Sequence, residues 1–334
     1  MRNVTLGGGV LLWYYQPVNV QGAENNVSIF FANIVLDGKW GIFGLHLEPR
    51  FRDTKLRPFF DGPVWLQEAY ASIDLGDAAV LKIGKTYSHL GLFWDNSFYG
   101  NVQVYDGLKL DPDYGLSLDG ALGKKEDTVG LGWWAQYFVT DGGTNVSLPG
   151  RDTISIPGAH RRNQVILRAE PRFHFGPATI ALGASGEFFQ AADLPGIGTQ
   201  DVWRGSGDAK LTVGNLGVWG ELTHQDGRSV TAFPIAGAAA TATSAAVPGQ
   251  SSSKVDYALA GAECTVGPVT ARYNVSWGNY SDVSVYEWLH VPAIGVSISP
   301  NLSVLGELVL WQRYSPAGTS LVDRSFNVTV KAHL

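Results

Sequence analysis

The chain has 334 residues, a formal net charge of −6, 16% charged residues, 41 glycines and a single cysteine, Cys264. Soluble domains carry about 25% charged residues, so this chain is poor in charge, and its acidic balance gives no reason to expect nucleic acid as a partner. One cysteine excludes an intrachain disulfide and any multi-cysteine metal site, and without an apolar run of 18 or more residues there is no candidate transmembrane helix.

Strand-like sequence starts at Val4 with no secretory leader in front of it, so the chain reads as a mature one. From there, short and long connectors alternate. The short ones are Asp37-Gly38, Gly76-Asp77, Lys124-Lys125-Glu126-Asp127, Gly176-Pro177, Gly214-Asn215, Gly267-Pro268 and Pro300-Asn301, residue types that supply positive or preset φ for tight turns. The longer breaks fall near 16–25, 53–63, 89–104, 140–160, 190–200, 227–252, 279–283 and 315–321, the last two shorter than the rest. Between them lie segments near 3–15, 26–37, 39–52, 64–76, 78–88, 105–123, 128–139, 161–175, 177–189, 201–213, 216–226, 253–266, 268–278, 284–299, 301–314 and 322–334, about sixteen in all.

Within these segments apolar and polar residues alternate. From 107 to 122, Leu108, Leu110, Tyr114, Leu116, Leu118 and Leu122 fall on one register, and Lys109, Asp111, Asp113, Ser117 and Asp119 on the other. Side chains of a strand point alternately to opposite faces, so this stretch reads as one long strand, unbroken at Pro112, with an oily side and a wet side. Splitting it at Asp111-Pro112 gives seventeen segments; kept whole, the count is even and both termini fall on the short-turn side. A long-strand dyad, an even count and tight turns on one rim opposite longer loops on the other are the pattern of a transmembrane antiparallel β-barrel of the bacterial outer membrane. The whole chain, 1–334, then forms a single barrel domain with periplasmic turns and extracellular loops.

The polar registers are the expected lumen wall. Glu48, Arg50 and Arg52 share a face with His46; Arg162, Gln164, Arg168, Glu170, Arg172 and His174 share another; Arg204, Asp208 and Lys210 line up, as do Arg272 and Asn274. Glu68, Glu187, Glu221, Glu263 and Glu307 fall on the polar registers of their strands. Aromatic residues near strand ends, including Trp13, Trp133-Trp134, Phe188-Phe189, Trp277, Trp288 and Trp311, are expected to form girdles at the membrane boundaries. Cys264 shares the register of Val266 and is expected to face outward.

The stretch Gln67-Glu68-Ala69-Tyr70-Ala71-Ser72-Ile73-Asp74-Leu75-Gly76-Asp77, followed by Leu81-Lys82-Ile83-Gly84-Lys85-Thr86-Tyr87-Ser88, resembles the hairpin that precedes the third external loop of the bacterial general porins. The local likeness covers about 25 residues, while length and strand plan agree along the chain. The resemblance implies a sixteen-stranded, water-filled, homotrimeric barrel in contact with lipid bilayer and lipopolysaccharide, whose third loop folds inward and sets acidic residues against a basic wall. Lys85 then stands at the family's wall arginine, His89–Val104 is the candidate constriction loop, Asp95 its candidate acid, and Asp106 lies just beyond. The loop departs from the family's Pro-Glu-Phe-Gly-Gly stretch and has Leu92-Phe93-Trp94-Asp95-Asn96 instead. For Lys85, a lumenal position and snorkelling to an interface both remain open.

The function these features imply is passive diffusion of ions and small hydrophilic solutes. A wet lumen replaces bulk water, and wall charges order ions within it. The pore-wall candidates are Lys85, Asp95, Asp106, Arg50, Arg52, Arg168, Arg172, Arg204, Arg272, Glu48 and Glu170. With the other Glu and Asp of the polar registers counted, the signs along the wall nearly balance, so anion or cation preference stays open. A second reading is a substrate-selective channel for sugars or for anions such as phosphate, with Phe93, Trp94, Phe98 and Tyr99 as a candidate aromatic slide. A third is a membrane-embedded hydrolase, but no G-x-S-x-G nucleophile motif appears. No catalytic residue, metal ligand or cofactor is expected.

Overall fold

Alternating side chains satisfy both faces of a strand at once only where one face meets an apolar phase and the other a polar one. In a computed structural model, which describes residues 2–18, 25–52, 64–92, 112–123, 127–140, 154–155, 159–194, 196–228, 231–232, 253–316 and 318–333, that requirement is met by closure. The strands are β1 (Arg2–Pro17), β2 (Asn26–Trp40), β3 (Phe43–Phe51), β4 (Val64–Asp74), β5 (Ala79–Thr86), β6 (Asp113–Leu122), β7 (Val129–Thr140), β8 (Ile154–Ser155), β9 (His160–Phe175), β10 (Ala178–Leu194), β11 (Gly198–Val213), β12 (Leu216–Asp226), β13 (Thr231–Ala232), β14 (Lys254–Val266), β15 (Val269–Tyr280), β16 (Val285–Ser299), β17 (Leu302–Ser315) and β18 (Gly318–His333).

Sixteen of these form one closed barrel, each strand antiparallel to its chain neighbour, with β1 pairing both β2 and β18. Closure leaves no strand edge open, which a spanning sheet requires, since lipid offers no hydrogen-bond partner for a bare edge. The remaining two, β8 and β13, pair with each other and tie the β7–β9 connector to the β12–β14 connector. Among the described residues no helix is long and apolar enough to cross a membrane.

The outward face is apolar around the ring. Leu6, Leu116, Leu167, Leu222, Val266 and Ile294, from six different strands, are all exposed. Leu167 is 59% exposed, between Ile166 at 0% and Arg168 at 6%. A soluble barrel would bury this register. Cys264 is exposed on it, as expected.

Several boundaries differ from the sequence reading. The first hairpin reverses at Gly41-Ile42, not at Asp37-Gly38: Gly41 supplies φ of 63°, while Asp37 and Gly38 remain in the ladder opposite His46 and Leu45. Gly38 is small because the Trp40 ring lies over it. Of the expected long strand through 107–122, the described part is the ten-residue β6, beginning directly after Pro112; proline has no N–H to give a ladder, and residues 107–111 lie outside the described residues. The strand total of sixteen is unaffected. The expected long break near 190–200 is short, because β10 runs to Leu194 and β11 starts at Gly198; the two shorter breaks near 279–283 and 315–321 leave only 281–284 and 316–317 between strands. Both described chain ends, Arg2 and His333, lie on the rim of tight turns, paired or bonded near Trp40 and Asn301.

Candidate pore and constriction

From β2 round to β12 the inner face is a ladder of charged side chains that satisfy one another. On β3, the Arg50 guanidinium Nε donates to Glu48 Oε1 at 2.7 Å, and Asn33 Nδ2 donates to the same oxygen at 2.9 Å. The Arg50 guanidinium also lies 4.4 Å from the Phe31 ring centroid, and that of Arg52 lies 3.6 Å from the Trp65 ring. Lys82 on β5 reaches Asp119 on β6 at 2.7 Å. Arg168 on β9 holds Asp208 on β11 through two nitrogens, at 2.5 and 3.0 Å, and Glu170 at 2.7 Å. Arg172 donates to the other oxygen of Glu170 at 2.7 Å. Arg204 bonds Glu187 at 3.0 Å and Gln225 at 2.7 Å, and Glu187 accepts from Gln164 as well. Arg272 bonds Glu263 at 2.9 Å. Planar guanidinium forks against carboxylates give the strongest such contacts; some lie along one strand, as Arg50 with Glu48, while Arg204–Glu187 and Arg272–Glu263 join neighbouring strands and Arg168–Asp208 reaches across β10.

Arg161 replaces Arg162 at the top of β9. Asn163 takes φ of 51°, and the pairing with β10 slips between Phe188 and Gln190. This bulge re-aims the strand. Arg161 is thereby buried against Asp113 at 3.4 Å, and Arg162 is exposed on Thr199.

The other side of the inner face, from β14 through β18 to β1, sets a hydrophobic cluster among buried polar side chains such as Glu287, Glu307, Arg313 and Asn327. Trp13, Tyr257, Tyr280, Leu289, Val309 and Trp311 form a buried cluster there. The indole N–H of Trp13 donates to Asn327 at 3.0 Å and that of Trp311 to Glu287 at 3.2 Å. Trp13 and Trp311 therefore belong to the interior, not to the expected membrane girdle. Phe189 is likewise buried and inward, while its neighbour Phe188 is exposed. Trp277 and Trp288 sit together on the outer side, ring centroids 6.4 Å apart.

The chain leaves the wall after β5. Gly84 has φ of 139°, and a β-carbon there would strike the Ala69 carbonyl oxygen, so only glycine lets β5 approach β4 this closely. Lys85 follows. It is 3% exposed, its ammonium donates to the Leu66 carbonyl at 2.8 Å, and it lies 5.4 Å from the Tyr114 ring. It is a buried cation on a backbone oxygen, not an open wall charge. Beyond Thr86, three backbone amides are caught by three other strands: His89 N–H by Gln136 of β7 at 2.8 Å, Gly91 N–H by Ser185 of β10 at 3.0 Å, and Leu92 N–H by Glu221 of β12 at 2.6 Å. Segment 89–92 thus crosses the interior from the β5 side to β12. His89 stacks on Trp134 at 5.1 Å. Gly91 lies against the Glu221 carboxylate with no room for a side chain.

Beside this segment is a cavity of about 740 Å³ lined by His89, Leu92, Trp134, Arg168, Glu170, Arg172, His174 and Lys210, among others. Arg172 is the most open of its arginines, its side chain 49% exposed. Of the residues expected at the pore, Arg168, Glu170 and Arg172 meet at this cavity. Arg204 lies farther along the same wall, Arg50, Arg52 and Glu48 stand on β3 and its end, and Arg272 on β15. Asp95 and Asp106 lie outside the described residues. Sequence reasoning did not single out Gln136, Ser185 and Glu221 as anchors: each sits on a polar register, but nothing local ties Glu221 to a residue 129 positions earlier.

No family model matches the chain, and no curated protein matches it. Solved structures do. The outer membrane channel DcaP of Acinetobacter baumannii aligns over 100% of this chain and 97% of its own, at 12% identity and a TM-score of 0.63. OmpF of Salmonella typhi, solved in complex with daunomycin, aligns over 99% and 97%, at 12% identity and 0.64. The trimer form of OmpT, an outer membrane protein of Vibrio cholerae, aligns over 100% and 99%, at 8% identity and 0.62. The chain has the sixteen-stranded barrel fold of these outer membrane proteins.

Proposed function

We propose that the chain is an outer-membrane porin of the general type, through which ions and small hydrophilic solutes diffuse passively in the bacterial outer membrane. The observation that carries this reading is one closed wall, apolar outside and charged inside, with segment 89–92 anchored across its interior. No bond is made or broken: the lumen supplies water and fixed charge, and its narrowest section sets the size limit. Residues His89–Val104 are the constriction in this reading, with Asp95 as its acid and Asp106 just beyond it. The anchoring of 89–92 on β7, β10 and β12 supports that reading. A homotrimer embedded in lipid and lipopolysaccharide is the assembly, supported by the trimer form of the similar OmpT.

At the cavity beside 89–92, Arg168, Arg172 and Lys210 face one lining carboxylate, Glu170, with Asp208 behind Arg168. The surplus is positive, so the passage there favours anions. Fixed wall charge of one sign raises the local concentration of the opposite ion. In planar bilayers under a salt gradient, the wild type gives a reversal potential on the anion side of zero. Arg172→Glu combined with Lys210→Glu moves it toward cations, and Asp95→Lys moves it further toward anions. An unchanged potential in both would refute the assignment. The wall is a mixed one, with an aromatic and aliphatic cluster among its charged side chains, which keeps a substrate-selective channel as the second reading. Liposome swelling separates the two: uptake that falls smoothly with solute size fits a general pore, and saturable, isomer-dependent uptake fits a selective one.

A further inference from the structure

We infer that the inner wall carries a binding site for a divalent transition-metal cation, built from His46, Glu48 and Glu68. One ligand atom from each of the three lies within 4.8 Å of the others. His46 and Glu48 are two apart on β3 and so share its inner face, and Glu68 is the direct register partner of Glu48 across β4. Like charges set directly opposite across a strand pair destabilise the sheet. Arg50 offsets part of this through Glu48 Oε1, and Lys82 nearby is engaged by Asp119. A cation between the two carboxylates would offset the rest.

The histidine is prepared for a metal. Its Nδ1 is 2.7 Å from Asp37 Oδ1, and an ionised carboxylate only accepts, so Nδ1 carries a proton and Nε2 is the nitrogen whose lone pair the neutral ring would offer to a metal. That Nε2 is buried and has no hydrogen-bond partner. A carboxylate behind the distal nitrogen is the usual way a metal-binding imidazole is oriented. The Tyr70 ring stacks on the imidazole at 4.9 Å and fixes its plane. Glu68 is steadied by the Thr86 hydroxyl at 3.2 Å, and both described bonds to Glu48 fall on Oε1. One imidazole and two carboxylates suit zinc-class ions, whose bonds to such donors are about 2.0–2.2 Å, within reach of small rotamer changes here. Water would complete the coordination. Thr86 is where the chain leaves the wall, so a bound ion would sit at the root of segment 89–92.

The test is calorimetric titration of Zn²⁺ into the full-length, detergent-solubilised protein, with the visible spectrum of the Co²⁺-loaded form as a second readout. One ion per chain is expected. His46→Asn, which keeps a donor toward Asp37 but lacks Nε2, and the isosteric Glu68→Gln each weaken binding at least tenfold and remove the Co²⁺ absorption band. His224→Ala, at an exposed histidine paired with Asp256, leaves both unchanged. Absence of stoichiometric Zn²⁺ binding by the wild type, or wild-type affinity in His46→Asn and Glu68→Gln, would overturn the proposal. Neither readout depends on the chain being a channel.

Discussion

At the scale of single residues, the wall is held by charges that cannot be removed one at a time. Asp208 is buried and takes two nitrogens of the equally buried Arg168. Replacing it leaves a cation with one carboxylate, Glu170, already shared with Arg172. Stranding one partner of a buried pair costs about 3–5 kcal/mol, so Asp208→Ala should lower the unfolding free energy by that amount in urea titrations. Exchanging the pair's sign by Arg168→Asp with Asp208→Arg should recover part of the loss. The residue-level register was legible where alternation is strict, as at Arg168, Glu170 and Arg172, because period two leaves no choice of face. It was not legible at Asn163, where one left-handed residue moves the inward role from Arg162 to Arg161. Nor did the sequence separate Trp13 and Trp311 from membrane-boundary aromatics. An indole near a strand end suits both places, and only their partners, Asn327 and Glu287, decide.

At the scale of elements, the segment after β5 is tied down by main-chain donors and side-chain acceptors. The acceptors Ser185 and Glu221 belong to strands far along the chain. Each such bond contributes about 0.5–1.5 kcal/mol, more when the acceptor is charged. Ser185→Ala combined with Glu221→Ala should therefore loosen 89–92 and raise single-channel conductance, with a noisier open level, while the barrel itself stays folded. Gly91→Val should act the same way, since its side chain would meet the Glu221 carboxylate. The likeness of 67–88 to the porin hairpin placed this segment, but its anchors depend on which strands the closed barrel sets opposite β5, and local sequence does not encode that. The strand through 107–122 illustrates the converse. Its alternation continues across Pro112, yet among the described residues Pro112 stands outside the ladder and β6 starts at Asp113, because a proline has no N–H to pair and hydropathy does not register that.

At the scale of the whole molecule, an even strand count, tight turns on one rim and an unbroken outward apolar register all follow from one condition, that every backbone polar group in lipid be paired within the sheet. That condition made the architecture readable from alternation and turn residues before any side-chain contact was known. What it does not constrain is the inside, and there the molecule is asymmetric: ion pairs run round the wall from β2 to β12, whereas from β14 to β1 an aromatic and aliphatic cluster sits among buried polar residues such as Glu287, Glu307 and Arg313. In the pore proposed above, the charged side of the wall borders a continuous aqueous path through the barrel. Single-channel recording in planar lipid bilayers tests it most directly. Purified protein should insert in discrete conductance steps whose size rises in proportion to bath conductivity, as for ions moving through water. Failure to give steps while the folded barrel is verifiably inserted, or a conductance that saturates at low salt, would contradict an open diffusion pore.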